Sequence, residues 1–347
     1  TFQTDASVSL NYAGVIAGTG GLTKSGSGTL TVSGTNTYSG ATTINGGVLS
    51  IVADTNLGAA PGTETADKLV IQNGGTLQLA VQAGEFQNFL TLNSNRGLTL
   101  GAGGGQIEVL SNVEATYGGV VAGSGSLTKS GVGQLNFASK NNTYAGGTKV
   151  FNGMLFGGAG SFVSSVFGSG IVSINSGARL WIDRSNLSNS LTLNGGTLVG
   201  TNGFGEIWSG PINITAESTV DVGSYMTLSN SITGSGKLVV KTGQVTITGS
   251  AAHTGGTEIR DSGKLYIGSG GTTGSMVGDI ATTADTLVVF NHSSNTSYAG
   301  VISGLGSLEK RGTGVLTLTS NQTYTGATTV STGSLVLSND APTTGSS

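Results

Sequence analysis

The residues of this chain that could perform acid–base chemistry are few and widely spaced. Asp183, Glu206 and Asp221 follow one another at intervals of 23 and 15 residues, and Arg179 and Arg184 lie near the first. Hydrolysis or elimination in a polysaccharide needs two or three carboxylates within about 5–10 Å of each other. Stacked coils could bring these three together, so a carbohydrate-active site is one hypothesis. Solvated charges in turns explain the same pattern.

An aromatic side chain recurs at one position of a repeated pattern. Tyr38, Tyr144 and Tyr324 occupy this position, and His253 replaces them in a degenerate copy. The three tyrosines could form a strip that stacks on a ligand. A buried or half-buried tyrosine that closes the turn after an asparagine is more ordinary. We therefore expect a structural role.

A lysine recurs at a second position of the same pattern. Lys24, Lys129 and Lys310 share it, and Val240 takes their place in the degenerate copy. A row of lysines could bind a receptor. We favour solvated turn residues that discourage lateral aggregation of strands. On this interpretation, joint replacement by Gln leaves the thermal midpoint nearly unchanged, because exposed charges contribute little.

Motifs for other chemistry are missing from the sequence. It contains no nucleophile elbow, phosphate-binding loop or calcium-binding nonapeptide. His253 and His292 are unpaired in sequence and show no metal-ligand spacing. We therefore predict no catalytic, cofactor-binding or metal-binding residue, no cofactor and no enzymatic activity. The residues that bind a partner stay unknown at this level.

The composition indicates an all-β chain without a strong electrostatic field. Glycine occupies 62 of 347 positions, and only 14 Lys and Arg oppose 17 Asp and Glu. The basic residues are scattered and do not form the positively charged stripe that nucleic-acid binding requires. No apolar run has the 18 or more residues of a membrane span, and the first residues do not resemble a signal peptide. The chain contains no cysteine, so no disulfide stabilises the fold.

Internal repeats organise the chain. A long unit spans 12–51, 117–157 and 298–338, and a degenerate copy spans 228–268. A finer pattern, Asn-Gly-Gly-x-Leu-x-Leu, recurs within and between these copies, for example as NGGVLSI at 45–51. Leu-x-Leu is a short strand with one buried face, and Asn-Gly or Gly-Gly supplies the turn before it. Strands this short must stack, which predicts one continuous β-solenoid over 1–347. At about 20 residues per coil and about 4.8 Å per strand, it has roughly 17 coils and is about 80 Å long.

The long unit closely resembles the passenger-associated repeat of bacterial autotransporters. The shared pattern is roughly G-x-G-x-L-T-K-x-G-x-G-x-L-x-L-x-G-x-N-x-Y-x-G-x-T-x-(V/I)-x-x-G-x-L, and it stands at 18–49, 123–155 and 304–335, and less cleanly at 234–265. The resemblance implies a right-handed parallel β-helix that type V secretion exports to the surface of a Gram-negative cell. It also implies a C-terminal β-barrel in the parent protein. The ending SNDAPTTGSS lacks a barrel strand, so we expect an excised or processed passenger segment.

We interpret the chain as a non-catalytic extracellular rod that acts in adhesion, and hence in virulence, or in self-association. Its partners would be a glycan or protein on a host or neighbouring cell, or like rods. Segments that interrupt the repeat near 52–68, 157–170 and 269–285 are expected to carry partner-specific loops. A carbohydrate-active β-helix and a segment of a giant self-assembling fibre stay open as alternatives.

Overall fold

The structure is a computed structural model that describes residues 1–6, 8–81, 84–86, 88–138, 141–158, 165–201 and 205–338. Closing residues 339–347, to which the expectation about the chain's ending refers, lie outside this part. The chain divides into two compact units, Thr1–Leu191 and Thr192–Ser347. Across the described residues the structure consists of β-strands, with a 3₁₀ turn at Asp54–Leu57 and no α-helix. No helix in this part of the chain is long and apolar enough to cross a membrane.

Strands of the first unit are short, mostly of two to five residues. They are β1 (Phe2–Gln3), β2 (Ser9–Tyr12), β3 (Leu22–Ser25), β4 (Thr29–Val32), β5 (Thr42–Asn45), β6 (Val48–Ile51), β7 (Thr65–Gln72), β8 (Gly75–Leu79), β9 (Asn88–Leu92), β10 (Arg96–Leu100), β11 (Gly105–Val109), β12 (Val113–Tyr117), β13 (Val121–Gly123), β14 (Leu127–Ser130), β15 (Gln134–Phe137), β16 (Thr148–Val150), β17 (Met154–Gly157), β18 (Val172–Asn175), β19 (Arg179–Ile182) and β20 (Asn186–Leu187).

Parallel pairing joins these strands into stacked sheets. The orders are β1-β3-β5-β7-β10-β13, β2-β4-β6-β8-β11-β14-β16-β18 and β9-β12-β15-β17-β19. Neighbours in a sheet are not consecutive in the chain, so the backbone visits the other sheets before it returns one level further on. The first unit is therefore a parallel β-solenoid.

Strands of the second unit follow the same plan. They are β21 (Leu191–Asn194), β22 (Thr197–Gly200), β23 (Gly205–Trp208), β24 (Ile212–Ala216), β25 (Ser218–Val222), β26 (Tyr225–Leu228), β27 (Ile232–Gly234), β28 (Leu238–Lys241), β29 (Gln244–Ile247), β30 (Ser250–Ala251), β31 (Thr257–Arg260), β32 (Lys264–Ile267), β33 (Ser275–Met276), β34 (Ile280–Thr282), β35 (Leu287–Asn291), β36 (Thr296–Tyr298), β37 (Ile302–Gly304), β38 (Ser307–Arg311), β39 (Val315–Leu318), β40 (Thr323–Tyr324), β41 (Thr328–Val330) and β42 (Ser334–Leu337).

Buried ladders of apolar residues form the core of the second unit. Met226, Val245, Leu265, Val288 and Leu308 lie opposite one another on β26, β29, β32, β35 and β38. Successive members are 19, 20, 23 and 20 residues apart, close to the expected coil length. All five are fully buried, and burial of each such side chain stabilises the fold by about 1.5–3 kcal/mol. The second unit is a parallel β-solenoid as well.

The long repeat corresponds to two successive coils. In the first copy β3 and β4 belong to one coil, and β5 and β6 to the next. β3 pairs with β5 and β4 pairs with β6, so the second half of the repeat stacks on the first. The all-β, parallel β-helical fold expected from the sequence is confirmed. Its right-handed sense and its continuity over 1–347 stay predictions.

Candidate functional site

The three repeat lysines are buried, so the expectation that they are solvated turn residues is wrong. Lys24, Lys129 and Lys310 are each 0 % exposed. In β3 the side chains of Leu22 and Lys24 both face inward, because residues two apart lie on the same face of a strand. Each lysine therefore occupies a core position, where the degenerate copy has the buried Val240.

Each buried ammonium is held by carbonyls of two successive turns. Nζ of Lys24 donates hydrogen bonds to the carbonyls of Ser25 and Gly26 at 2.8 Å in its own turn, and to that of Gly46 at 3.3 Å in the next coil. Gly47 follows with a φ of 64°, and a Cβ there would lie 2.3 Å from the carbonyl oxygen of Gly26 and 2.5 Å from that of Gly28. A glycine is thus required both by the left-handed backbone and by the close approach of the preceding coil's backbone.

The other two lysines repeat this arrangement. Nζ of Lys129 donates to the carbonyls of Ser130, Gly131 and Asn152 at 2.7, 2.8 and 3.2 Å. Lys310 makes the same set of contacts in the last copy, with its own turn and with the turn of the next coil. Three acceptors match the three N–H donors of an ammonium group. The lysine position is therefore a clamp between coils.

Burial has a clear effect on these amines. Loss of hydration lowers the pKa of the Lys129 ammonium to about 7, and the Glu108 carboxylate opposes this shift. Burial likewise lowers the pKa of Lys24 and of Lys310. Three carbonyl dipoles favour the charged form of each lysine, so the clamp offsets part of the cost of burial.

An asparagine and a tyrosine form a second polar layer in the repeat. Oδ1 of Asn36 accepts a hydrogen bond from the backbone N–H of Ile16 at 2.8 Å, and its Nδ2 donates to the carbonyl of Asn56 at 2.7 Å. These contacts reach one coil back and one coil forward. The hydroxyls of Tyr38 and Thr42 lie 2.5 Å apart within the core. Both side chains satisfy buried polar groups and connect neighbouring coils.

The expectation of a structural tyrosine is confirmed. Tyr144 is fully buried, like Tyr38, and Tyr324 is half-buried. His253 is also fully buried and takes over the role of the tyrosine hydroxyl. Its Nε2 lies 3.0 Å from the hydroxyl of Thr257 and 3.1 Å from the carbonyl of Gly256. Burial lowers the pKa of His253, and the Gly256 carbonyl partly opposes this.

The sequence patterns did not indicate Arg96, a buried arginine of the first unit. Arg96 is 0 % exposed, and its Nε lies 3.0 Å from Oδ1 of Asp54. Its two terminal nitrogens donate to the carbonyls of Leu57 at 2.9 Å and Gly58 at 3.1 Å, and Tyr117 donates to the Arg96 carbonyl. This arginine lies between copies of the long repeat, so no aligned position indicated it. It fastens the 3₁₀ turn to the core.

Asp183 and its neighbouring arginines lie in the first unit. Asp183 follows β19 and is half-buried, Arg179 is exposed on that strand, and Arg184 adopts a left-handed φ of 46°. Glu206 and Asp221 belong to the second unit. Each unit therefore contributes only part of the carboxylate set considered above.

The two carboxylates of the second unit face in different directions. Glu206 is 0 % exposed, and Oε1 accepts hydrogen bonds from the backbone N–H and the hydroxyl of Thr201 at 3.3 and 2.7 Å. Asp221 lies on the outward face of β25 and accepts a hydrogen bond from the Thr242 hydroxyl at 2.6 Å. One inward and one outward carboxylate do not line a single groove.

An outward patch of the first unit combines aromatic rings with amides and a carboxylate. β15, β17 and β19 are neighbours, and their register aligns Asn136, Phe156 and Trp181. The rings of Phe156 and Trp181 meet edge to face, with centroids 5.9 Å apart at 80°. Oε1 of Glu114 accepts hydrogen bonds from Nδ2 of Asn136 at 3.0 Å and from Nε2 of Gln134 at 3.4 Å. These five residues line a shallow groove of about 310 Å³, here named the aromatic–amide groove.

A charged groove lies on the second unit and has a volume of about 380 Å³. Lys237 and Glu258 line it, and Lys237 forms ion pairs with Glu217 at 3.6 Å and Glu258 at 3.3 Å. The Arg260 side chain bonds to Glu258 at 2.5 Å and lowers the pKa of that carboxyl, while burial opposes the shift. These exposed charges pair with one another, and each pair contributes at most about 1 kcal/mol.

Two further features were considered in the sequence: groups of metal ligands, and loops that interrupt the repeat. Among the described residues, no three His, Asp or Glu side chains are grouped to hold a metal ion. Of the three segments expected to carry loops, residues 159–164 lie outside the described part of the chain. Segment 269–285 contains β33 and β34, and Asp54 anchors the segment near 52–68 to Arg96. A role in partner binding for these segments stays a prediction.

Comparisons with known proteins agree with the geometry of the repeat. The family model for the passenger-associated transport repeat matches residues 22–51, 127–155, 232–267 and 308–337. The adhesin BmaC autotransporter of Brucella suis biovar 1 (strain 1330) is 31% identical in an alignment of length 309, which covers 76% of this chain and 8% of that protein. The chain thus spans less than a tenth of this relative's length. No solved structure matches the chain.

All four matched segments contain strand pairs of the solenoid, and three of them contain the lysine clamp. Proteins of this kind are exported across the outer membrane to the cell surface. The chain belongs to the autotransporter passengers that carry passenger-associated transport repeats.

Proposed function

We propose that this chain is a non-catalytic part of a surface passenger and that it acts in adhesion through an outward face. The relative described above is named an adhesin, which supports this class of function. Inward polar groups such as Lys129, Arg96 and His253 are already committed to carbonyls and hydroxyls of the fold. Partner binding therefore belongs to outward side chains.

The observation that carries this proposal is the variability of outward positions in the repeat. At the position that follows the inward leucine of the last strand, the four copies have Ser50, which is buried, and Phe156, Tyr266 and Val336, which face outward. The inward neighbours at that strand are Leu49, Leu155, Leu265 and Leu335. A constant interior maintains the solenoid, while variable outward residues are free to form a binding surface such as the aromatic–amide groove.

Two alternative functions require different structural features. Self-association, alone or within a giant fibre, needs contact between like faces, and the low charge of the chain permits it. A carbohydrate-active enzyme needs a carboxylate pair in one groove, and the separate environments of Glu206 and Asp221 give this reading less support.

Beads coated with the purified chain distinguish these functions. We expect such beads to adhere to an epithelial cell monolayer without clumping together, and we expect no cleavage of polyuronates or host glycans by the soluble chain. Clumping without adhesion would favour self-association. Turnover that is lost in Asp183→Asn or Asp221→Asn would overturn the non-catalytic assignment.

A further inference from the structure

We propose that the aromatic–amide groove binds the ring of an uncharged sugar within a glycan. The proposal rests on the adhesive function and names the ligand class and the residues that contact it. The sugar would lie against Phe156 and Trp181 and donate hydroxyl hydrogen bonds to Glu114 and Gln134.

The aromatic part of the groove offers a surface for C–H groups. Phe156 and Trp181 lie opposite each other on the outward faces of β17 and β19, and both are partly exposed. Their edge-to-face contact fixes one ring against the other. The face of an aromatic ring carries partial negative charge. It attracts the slightly positive C–H groups that cover one side of a pyranose ring.

Trp181 also presents an unused donor. Its Nε1 has no hydrogen-bond partner in the described part of the chain, although the atom is covered. An indole N–H in such a place usually finds an acceptor. A sugar hydroxyl accepts as well as donates, and it could approach this nitrogen after a small rotation of the indole ring.

The polar part of the groove is pre-organised as an array of acceptors. Nε2 of Gln134 donates to Oδ1 of Asn136 at 2.7 Å, and both amides donate to Oε1 of Glu114. These bonds use amide donors of both side chains and hold the three side chains in place. Oε2 of Glu114 and Oε1 of Gln134 accept no hydrogen bond from the described residues, and both residues line the groove. Hydroxyl donors are the groups that complement them.

Size and charge favour a sugar over other ligands. At about 310 Å³ the groove is at the lower limit of small-ligand sites, about 300–1,000 Å³. A stable protein interface needs about 800 Å² on each partner, which is far more than this groove offers. Glu114 is the ionisable residue among those that line it. A carboxylate there disfavours uronic acids, sialic acids and sulfated sugars.

The fold does not need these side chains. Ser50 and Val336 occupy the position of Phe156 in two other copies, and Thr31 occupies that of Asn136 in the first. The guanidinium of Arg311 lies over the ring of Tyr266 in the degenerate copy, 5.5 Å from its centroid. That ring is already covered from within the chain. Among the described residues, no such cation lies over the Phe156 ring.

Titration calorimetry on the purified chain tests the proposal, with tryptophan fluorescence as a second readout. The probes are the neutral hexasaccharides of glucose, galactose and N-acetylglucosamine, and anionic hexagalacturonate. Phe156→Ser introduces the residue of the first copy, and Trp181→Gln introduces the residue of Gln78, the outward residue of the Leu-x-Leu strand β8. Val336→Ser is the matched control at the equivalent position of the last copy. Trp208 is fully buried and supplies a constant fluorescence background.

We expect a neutral hexasaccharide to bind, and its Kd to rise at least about ten-fold in Phe156→Ser and in Trp181→Gln. Val336→Ser should bind like the unchanged chain, and all variants should keep its melting temperature to within a few degrees. Hexagalacturonate should bind more weakly than the neutral probes.

Failure of the sugar assignment is distinguishable from failure of the adhesive function. If no neutral probe binds while coated beads still adhere to cells, the ligand class is wrong and the adhesive function stands. The same holds if adhesion depends on Phe156 and Trp181 but no sugar binds, which would indicate a protein partner. Equal binding by the chain and both groove variants would place the sugar elsewhere. Absence of both adhesion and sugar binding would overturn both proposals.

Discussion

The side-chain ammonium of Lys129 donates a hydrogen bond to the backbone carbonyl of Asn152, 3.2 Å away and one coil further along the chain. It also bonds to two carbonyls of its own turn. A single side chain thus fixes the distance between two successive turns. Lys24 and Lys310 do the same in their copies, which makes the clamp a regular element of this solenoid.

Removal of the clamp should destabilise the first unit. Lys129→Met keeps an apolar side chain of similar length but leaves three carbonyls without their donor. We expect the free energy of unfolding to fall by about 2–4 kcal/mol, since buried carbonyls that lose their donor are costly. Urea denaturation measures this change. Lys149→Met is the control, because Lys149 is exposed on the adjacent strand β16, and its loss should cost less than about 0.5 kcal/mol. Equal effects in the two variants would contradict the clamp.

His253 should make the second unit sensitive to acid. Burial holds the pKa of His253 below its ordinary value of 6.5, so the unfolded chain takes up a proton before the folded chain does. Stability is therefore fully present above the unfolded pKa and falls as the pH drops below it, by at most about 1.4 kcal/mol per pH unit.

His253→Tyr restores the residue of the other copies and should remove this contribution. Tyrosine does not titrate in the same range, and it can bond to Thr257 as Tyr38 bonds to Thr42. Urea denaturation from about pH 7 to about pH 5 should show a smaller loss in the variant. His292 is present in both proteins, so the difference reports on His253. Parallel pH profiles would show that another group is responsible.

Replacement of the buried Arg96 should destabilise the fold more than replacement of Arg311, which is partly exposed. Arg96→Met removes the donors to the Leu57 and Gly58 carbonyls and breaks the ion pair with Asp54. We expect a loss of about 3–5 kcal/mol, as for other broken buried pairs. Arg311→Met is the comparison, because the Arg311 side chain is 43 % exposed in its ion pair with Glu309, and such a partly exposed pair contributes about 1 kcal/mol. Thermal unfolding measures the loss of stability in both variants. A larger loss in Arg311→Met than in Arg96→Met would contradict this prediction.

Much of the fold follows from the sequence because the repeat is periodic at two scales. Leu-x-Leu gives inward and outward faces, and glycine pairs give the turns between them. The lysines were misassigned because their charge was taken to require solvent. Leu22 and Lys24 are two residues apart on one strand, and Val240 replaces the lysine in the degenerate copy. Both facts indicate a core position, and the alternation of a strand is a stronger guide than side-chain charge.

The candidate site could not be derived in the same way. Phe156 and Trp181 are 25 residues apart, and they meet only because the coil between them has that length. Coil lengths vary along the chain, so the register of outward residues follows from the backbone path and not from the motif. The Arg96 contact with Asp54 depends on the same kind of long-range geometry.

Adhesion by a double variant tests the central claim most directly. Beads coated with Phe156→Ser/Trp181→Gln are compared with beads coated with the unchanged chain and with Val336→Ser, after all three proteins have been shown to melt alike. If the interior maintains the fold and the aromatic–amide groove binds the partner, the double variant should lose most of its adhesion to the cell monolayer. The Val336→Ser beads should adhere normally. Full adhesion by the double variant would contradict the account.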